Sequence, residues 1–153
     1  MSAAGLDGFV VGGTTGEGAY LSTAEKGEVL GAIRNVIDSK QPICAAYIGP
    51  STALVLEQIK ALQSTGPDFI VAVTPYYLSM RQEDIIEHFR IISNAATSPL
   101  ILCNIPGNTH NPISLETILE LSQMGNIVGI KDPSGQFIDF CRGILSGSQS
   151  DFA

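Results

Sequence analysis

Five short apolar runs recur along the chain, each bounded by glycine, proline or polar residues. They lie at 5–13 (GLDGFVVGG), 42–48 (PICAAYI), 69–74 (FIVAVT), 100–105 (LILCNI) and 126–131 (NIVGIK). None alternates apolar with polar. A strand that is apolar along its whole length is buried on both faces, as in a parallel sheet covered by helices. Between the runs the apolar spacing turns helical. A capping box, Ser22 with Glu25, opens a helix predicted over 22–37, with Val29, Leu30, Ile33, Val36 and Ile37 on its inner face. Helices follow over 51–63 (Leu54, Val55, Ile59 and Leu62 inward) and 82–96 (Ile85, Ile86, Phe89, Ile92 and Ala96 inward). A further helix starts after Ser114 and runs to about Met124, and a short one covers 136–145; Phe152 and Ala153 read as the start of another strand.

Strand and helix in alternation make the class α/β, in one domain over 1–153. Two architectures compete: an open doubly wound sheet and a (β/α)8 barrel. No G-x-G-x-x-G follows a strand, which lowers the nucleotide-binding version of the first. The barrel normally needs ~250 residues, and this chain has 153.

Charge narrows the partners. Eight Lys and Arg against fifteen Asp and Glu give a formal net charge of −7. That balance argues against nucleic acid and anionic membrane surfaces, both of which reward basic patches. No apolar run approaches the ~18 residues of a membrane span, and no basic segment followed by an apolar stretch opens the chain. Three cysteines without metal-type spacing fit a reducing, cytoplasmic setting better than a disulfide framework.

The unusual residues stand where strands end, the functional face of parallel α/β folds. Gly12-Gly13-Thr14-Thr15-Gly16-Glu17 follows the first strand, Gly49-Pro50-Ser51-Thr52 the second and Thr74-Pro75-Tyr76-Tyr77 the third. Cys103-Asn104-Ile105-Pro106-Gly107-Asn108 closes the fourth and Lys131-Asp132 the fifth. The glycine turn is either an anion nest of backbone N–H groups or a plain strand-to-helix turn. A lysine ending an apolar strand is either a desolvated, nucleophilic amine or a strand-end cation paired with Asp132. Tyr76 and Tyr77 either relay protons or merely pack. His88 and His110 are too far apart in sequence to suggest a metal site. His88, next to Glu87, reads as a surface residue, and His110 is placed to reach the functional face. Cys44 and Cys141 read as small core residues, and Glu83, Asp84 and Glu87 as a solvated face.

Taken together, GGTTGE, VTPYY, NIPGNT and GIKD resemble the dihydrodipicolinate synthase / N-acetylneuraminate lyase family of class I aldolases, in order and in spacing. The resemblance runs over nearly the whole chain. It implies a (β/α)8 barrel, here an incomplete one holding about strands 2 to 6 and the start of strand 7. It implies a Schiff base between a lysine and pyruvate or another 2-oxo acid, with no cofactor or metal, in a homodimer or homotetramer. Lys131 matches the Schiff-base lysine. Gly13, Thr14 and Thr15 match the turn that holds the keto-acid carboxylate, and Thr14 also joins the proton relay. Tyr77 matches the tyrosine lent across a dimer interface to the neighbour's relay.

Two positions depart from the family. Its central catalytic tyrosine is replaced by Cys103, a thiol much shorter than a phenol. The arginine that helps bind the second substrate in the dihydrodipicolinate synthase branch is replaced by Asn108, which tilts the expectation toward a sugar-acid or other 2-oxo acid aldolase. Two other readings remain open: a catalytically impaired relative or fragment that only binds a small carboxylate or a partner subunit, and an unrelated open α/β domain with switch-point strand order.

Overall fold

The computed structural model describes residues 5–135 together with Cys141 and Arg142. Five strands form one sheet: β1 (Phe9–Val11), β2 (Ile43–Tyr47), β3 (Phe69–Val73), β4 (Leu100–Cys103) and β5 (Ile127–Lys131). Every neighbouring pair is parallel, and the strand order is β1-β2-β3-β4-β5. Sequential order is what successive right-handed βαβ units produce as they curl toward a barrel. An open sheet with a switch point would reverse direction part-way, so that reading is excluded.

The crossovers are α1 (Thr23–Arg34), α2 (Thr52–Leu62), α3 (Gln82–Ala95), and the pair α4 (Pro106–Thr109) and α5 (Leu115–Leu121). Serines start three of them. Ser22 accepts from Glu25 N–H while the Glu25 carboxylate accepts from Ser22 N–H, and Ser51 and Ser114 cap α2 and α5 in the simpler way.

Alternation along each strand divides the apolar residues between two layers. Ile43, Ala45, Tyr47, Ile70, Ala72, Leu100 and Leu102 point outward and pack with Val55, Ile59, Ile85, Phe89, Ile92 and Leu121 of the helices. Each such buried Leu, Ile or Phe contributes about 1.5–3 kcal/mol. Ala46, Val71, Val73 and Cys103 form a second cluster on the opposite face, joined by Cys44, Ile48, Ile101 and Ile105. That is the barrel-interior face. The β4–β5 ladder slips once: Leu100 pairs with Ile127 but Ile101 with Gly129, so Val128 is an extra residue, a β-bulge.

Several expectations need correction. The first strand is only Phe9–Val11, because Gly12 turns out of the extended region at φ +71°. The helix expected over 22–37 ends at Arg34, which leaves Val36 exposed in the turn that follows; Val29 and Leu54 are exposed too, so α1 and α2 bury a narrower stripe than the apolar spacing suggested. His88 is not on the surface but 1% exposed, on the buried face of α3. Cys44 and Cys141 are half-buried rather than core. The turn after β4 contains the short helix α4, which Pro106 starts at a position that needs no N–H donor. Glu83 and Glu87 are exposed and Asp84 partly so, as expected of a solvated face. Apart from Cys141 and Arg142, the helix expected over 136–145 and the strand start at 152–153 lie outside the described residues. Among the described residues no helix is long and apolar enough to cross a membrane.

Candidate active site

The loops at the carboxyl ends of the strands meet on one face. The glycine turn after β1 is closed by Glu17 N–H donating to Thr14 O (3.1 Å) and Gly18 N–H to Gly13 O (3.1 Å). A side chain at Gly18 could not be fitted, since a Cβ there would lie 1.7 Å from the Gly12 carbonyl oxygen. The N–H groups of Thr14 and Thr15 take no part in closing the turn, and both residues are exposed.

Ladder register aligns the ends of β3, β4 and β5. Val73 pairs with Cys103, and Cys103 with Lys131. One inner cavity is lined by Gly13, Thr14, Cys103 and Lys131 over a floor that includes Val71 and Val73. Lys131 itself is exposed. Behind it, Asn104 fixes the strand end. Its N–H donates to Lys131 O (3.0 Å), its Nδ2 to Asp132 Oδ2 (2.8 Å), and its Oδ1 accepts from Ile113 N–H (2.9 Å). Asp132 is therefore engaged with Asn104 and with Ser134 N–H (2.8 Å), and the ion pair considered between Lys131 and Asp132 is not among the salt bridges of the described residues.

Cys103 is 4% exposed. Burial pushes its thiol above the ordinary value; the Lys131 charge opposes this and Asp132 adds to it. At neutral pH it is a thiol, not a thiolate.

A cleft of about 390 Å³ adjoins the inner cavity and is lined by Thr14, Glu17, Tyr20, Tyr76 and Asn108 among others. Beyond it, an open groove takes in Pro50, Tyr76, Tyr77, Leu78, Asn108 and His110. Tyr77 is 91% exposed and has φ +82°, a left-handed conformation unusual for a tyrosine. The structure thus brings together Gly13, Thr14, Cys103 and Lys131, with Asn108 alongside. Thr15 lines none of these cavities, and Tyr77 lines the open groove rather than the cavity of this chain's own Lys131. His110 does reach the functional face, on the groove with Tyr77.

Two buried asparagines at this rim carried no sequence signal of their role: Asn104, described above, and Asn111, which bonds the loop bearing Tyr77. His88 also acts here from below. The Val73 carbonyl can only accept, so the proton sits on His88 Nε2 (3.1 Å), and Nδ1 accepts from the Thr52 hydroxyl (2.8 Å). Burial lowers its pKa from 6.5 to about 4. Among the described residues no three His, Cys, Asp or Glu side chains converge as metal ligands would.

A family model described as the dihydrodipicolinate synthetase family matches residues 2–151. The chain belongs to this family. Among relatives, the 4-hydroxy-tetrahydrodipicolinate synthase of Bdellovibrio bacteriovorus is 37% identical over 150 residues, covering 98% of this chain and 51% of that protein. A dihydrodipicolinate synthase structure from Bacillus anthracis superposes with a TM-score of 0.91 at 34% identity, over 97% of this chain and 51% of that one. The Acinetobacter baumannii enzyme, solved as a pyruvate complex, gives 0.90 at 37% identity, over 94% and 50%. The chain therefore spans about half the length of the family members it matches. Its five parallel strands are part of the barrel of those proteins. The relatives are named for dihydrodipicolinate synthesis, which overturns the preference for a sugar-acid aldolase. That preference rested on Asn108 alone, an exposed residue of α4 at the edge of the cleft, and one such side chain does not set a substrate.

Proposed function

We propose that this chain carries the Schiff-base half of a class I aldolase or lyase that acts on pyruvate or a related 2-oxo acid. The observation that carries the reading is the shared cavity: the Lys131 amine opens into the same space as Gly13 and Thr14 of the glycine turn. The neutral amine adds to the C2 carbonyl, and loss of water leaves an iminium. The iminium draws electrons from C3, whose proton departs to give an enamine. The enamine carbon forms the new bond to an aldehyde, and water then hydrolyses the imine and restores the amine. Gly13 and Thr14 orient the carboxylate, and the Thr14 hydroxyl serves proton transfer. The exposed Thr15, next in the same turn, adds its N–H and hydroxyl to the carboxylate's partners. No cofactor enters this scheme.

Tyr77 fits a role outside its own chain. It projects from the functional face into an open groove, so its phenol would complete the relay of a neighbouring subunit in a homodimer or homotetramer. The names of the relatives make dihydrodipicolinate formation the first overall reaction to assay. A reducing cytoplasm suits the three free thiols.

One observation favours a second reading, a relative that binds the keto acid but turns over slowly or not at all. Cys103 is a buried thiol held protonated where the family's relay has a phenol. The test for the main reading is borohydride trapping with pyruvate, read by intact mass. A reduced adduct on Lys131 that disappears in Lys131→Arg supports it. A folded sample that binds pyruvate without forming an adduct would establish the second reading instead.

A further inference from the structure

The loop from Thr74 to Met80 carries both rim tyrosines, yet no backbone–backbone hydrogen bond closes it among the described residues. Its fixed points come from one residue of another loop. Asn111, 3% exposed, donates from Nδ2 to Pro75 O (2.8 Å) and Leu78 O (2.8 Å), and more weakly to Thr109 O (3.3 Å). Its Oδ1 accepts from Met80 N–H (2.8 Å), and its backbone carbonyl accepts from the Thr74 hydroxyl (2.8 Å). These partners leave the amide only one orientation: two carbonyls require its NH2, and an N–H requires its oxygen. The anchors bracket Tyr76 and Tyr77. Tyr77 is held at φ +82°, a backbone conformation that L-residues keep only where the surroundings impose it.

We infer that Asn111 is the positioning residue that presents Tyr77, so that the loop after β4 sets the pose of the loop after β3. The catalytic side of this inference rests on the relay role proposed for Tyr77; the anchoring does not. His110, immediately before Asn111, is itself left-handed at φ +58°, which turns the chain out of α4 and delivers the asparagine side chain beneath the loop. Asparagine suits the task because one planar group supplies both donors and acceptor at the same depth. Aspartate would set oxygen against the Pro75 and Leu78 carbonyls, and leucine would leave all three backbone groups without partners.

The experiment compares the parent chain with Asn111→Leu, Tyr77→Phe and the double variant. Two readouts are taken: backbone amide exchange, and deuterium uptake at C3 of pyruvate in heavy water. In Asn111→Leu the Met80 amide is expected to exchange at least about tenfold faster, the effect of one lost buried hydrogen bond, while β3 and β4 amides stay protected. Borohydride trapping on Lys131 should persist, C3 exchange should fall, and the double variant should be no slower than Tyr77→Phe alone. Unchanged Met80 exchange overturns the anchoring. A double variant that loses the full Asn111 factor on top of the Tyr77 factor shows a general structural defect and overturns the positioning role. If Tyr77→Phe alone leaves C3 exchange untouched, the relay reading of Tyr77 falls, and Met80 exchange by itself decides whether Asn111 anchors the loop.

Discussion

Cys103 and Lys131 are direct partners across the β4–β5 ladder, and both open into one cavity with Thr14. The pairing puts the thiol at the level of the amine. It also separates two questions that are usually answered together: whether the imine forms, which depends on Lys131, and whether protons then move, which depends on what stands opposite.

Cys103→Tyr is expected to leave imine trapping on Lys131 in place and to raise deuterium exchange at C3 of pyruvate. A rise of up to about 10²-fold is reasonable, since a displacement of ~1 Å in a catalytic group costs that much. Proton NMR of pyruvate in heavy water measures it. An unchanged rate would mean that the cysteine is not what limits proton transfer.

His88 makes stability depend on pH in a defined window. Its folded pKa, about 4, lies below the ordinary 6.5, because burial disfavours the imidazolium. The unfolded chain therefore binds a proton first as the pH falls. The contribution is complete above pH 6.5 and is lost progressively as the pH drops toward 4, to a total of about 3 kcal/mol. Denaturant melts of the parent and of His88→Phe across this range check it. The variant starts from lower stability, because the Thr52 hydroxyl and Val73 carbonyl lose their partner, but its curve should be flatter. Parallel curves would remove His88 as the source.

Tyr47 offers a stabilising change. Its hydroxyl is buried without a hydrogen-bond partner among the described residues, and burial pushes its pKa up to about 12. Tyr47→Phe deletes the unpaired group and keeps the ring, so stability is expected to rise by about 1 kcal/mol, seen as a higher Tm. A lower Tm would show that the hydroxyl has a partner in solution.

The sheet was legible because the strands are apolar throughout, and the helix starts because serine stands before each of three. That Gly13, Thr14, Cys103 and Lys131 would meet was legible because strand-end motifs carry them. What escaped has physical reasons. Val29 and Leu54 satisfy helical spacing but lie at the margin of the stripe, where burial depends on the neighbouring helix, and Val36 lies beyond the end of α1. His88 was misjudged from Glu87 beside it, although it stands three residues after Ile85 and four before Ile92, on the buried stripe. Asn104 and Asn111 bond residues about 28 to 37 positions away, which no local pattern records. Asn108 misdirected the substrate reading because it is one exposed side chain of α4 at the edge of a cleft that many other residues line.

The bulge at Val128 decides which way the amine points. Side chains alternate with a period of two, and Leu100 and Ile127 start the ladder outward. An unbroken register from there would pair Ile130 with Cys103 and send Lys131 out among the helices. The extra residue restores the parity that faces Lys131 inward. Deleting Val128 would leave Lys131, Cys103 and Thr14 all in the chain and still turn the lysine away from the other two. In this strand an odd or even count, rather than any side chain, decides whether Lys131 shares a cavity with Thr14 and Cys103.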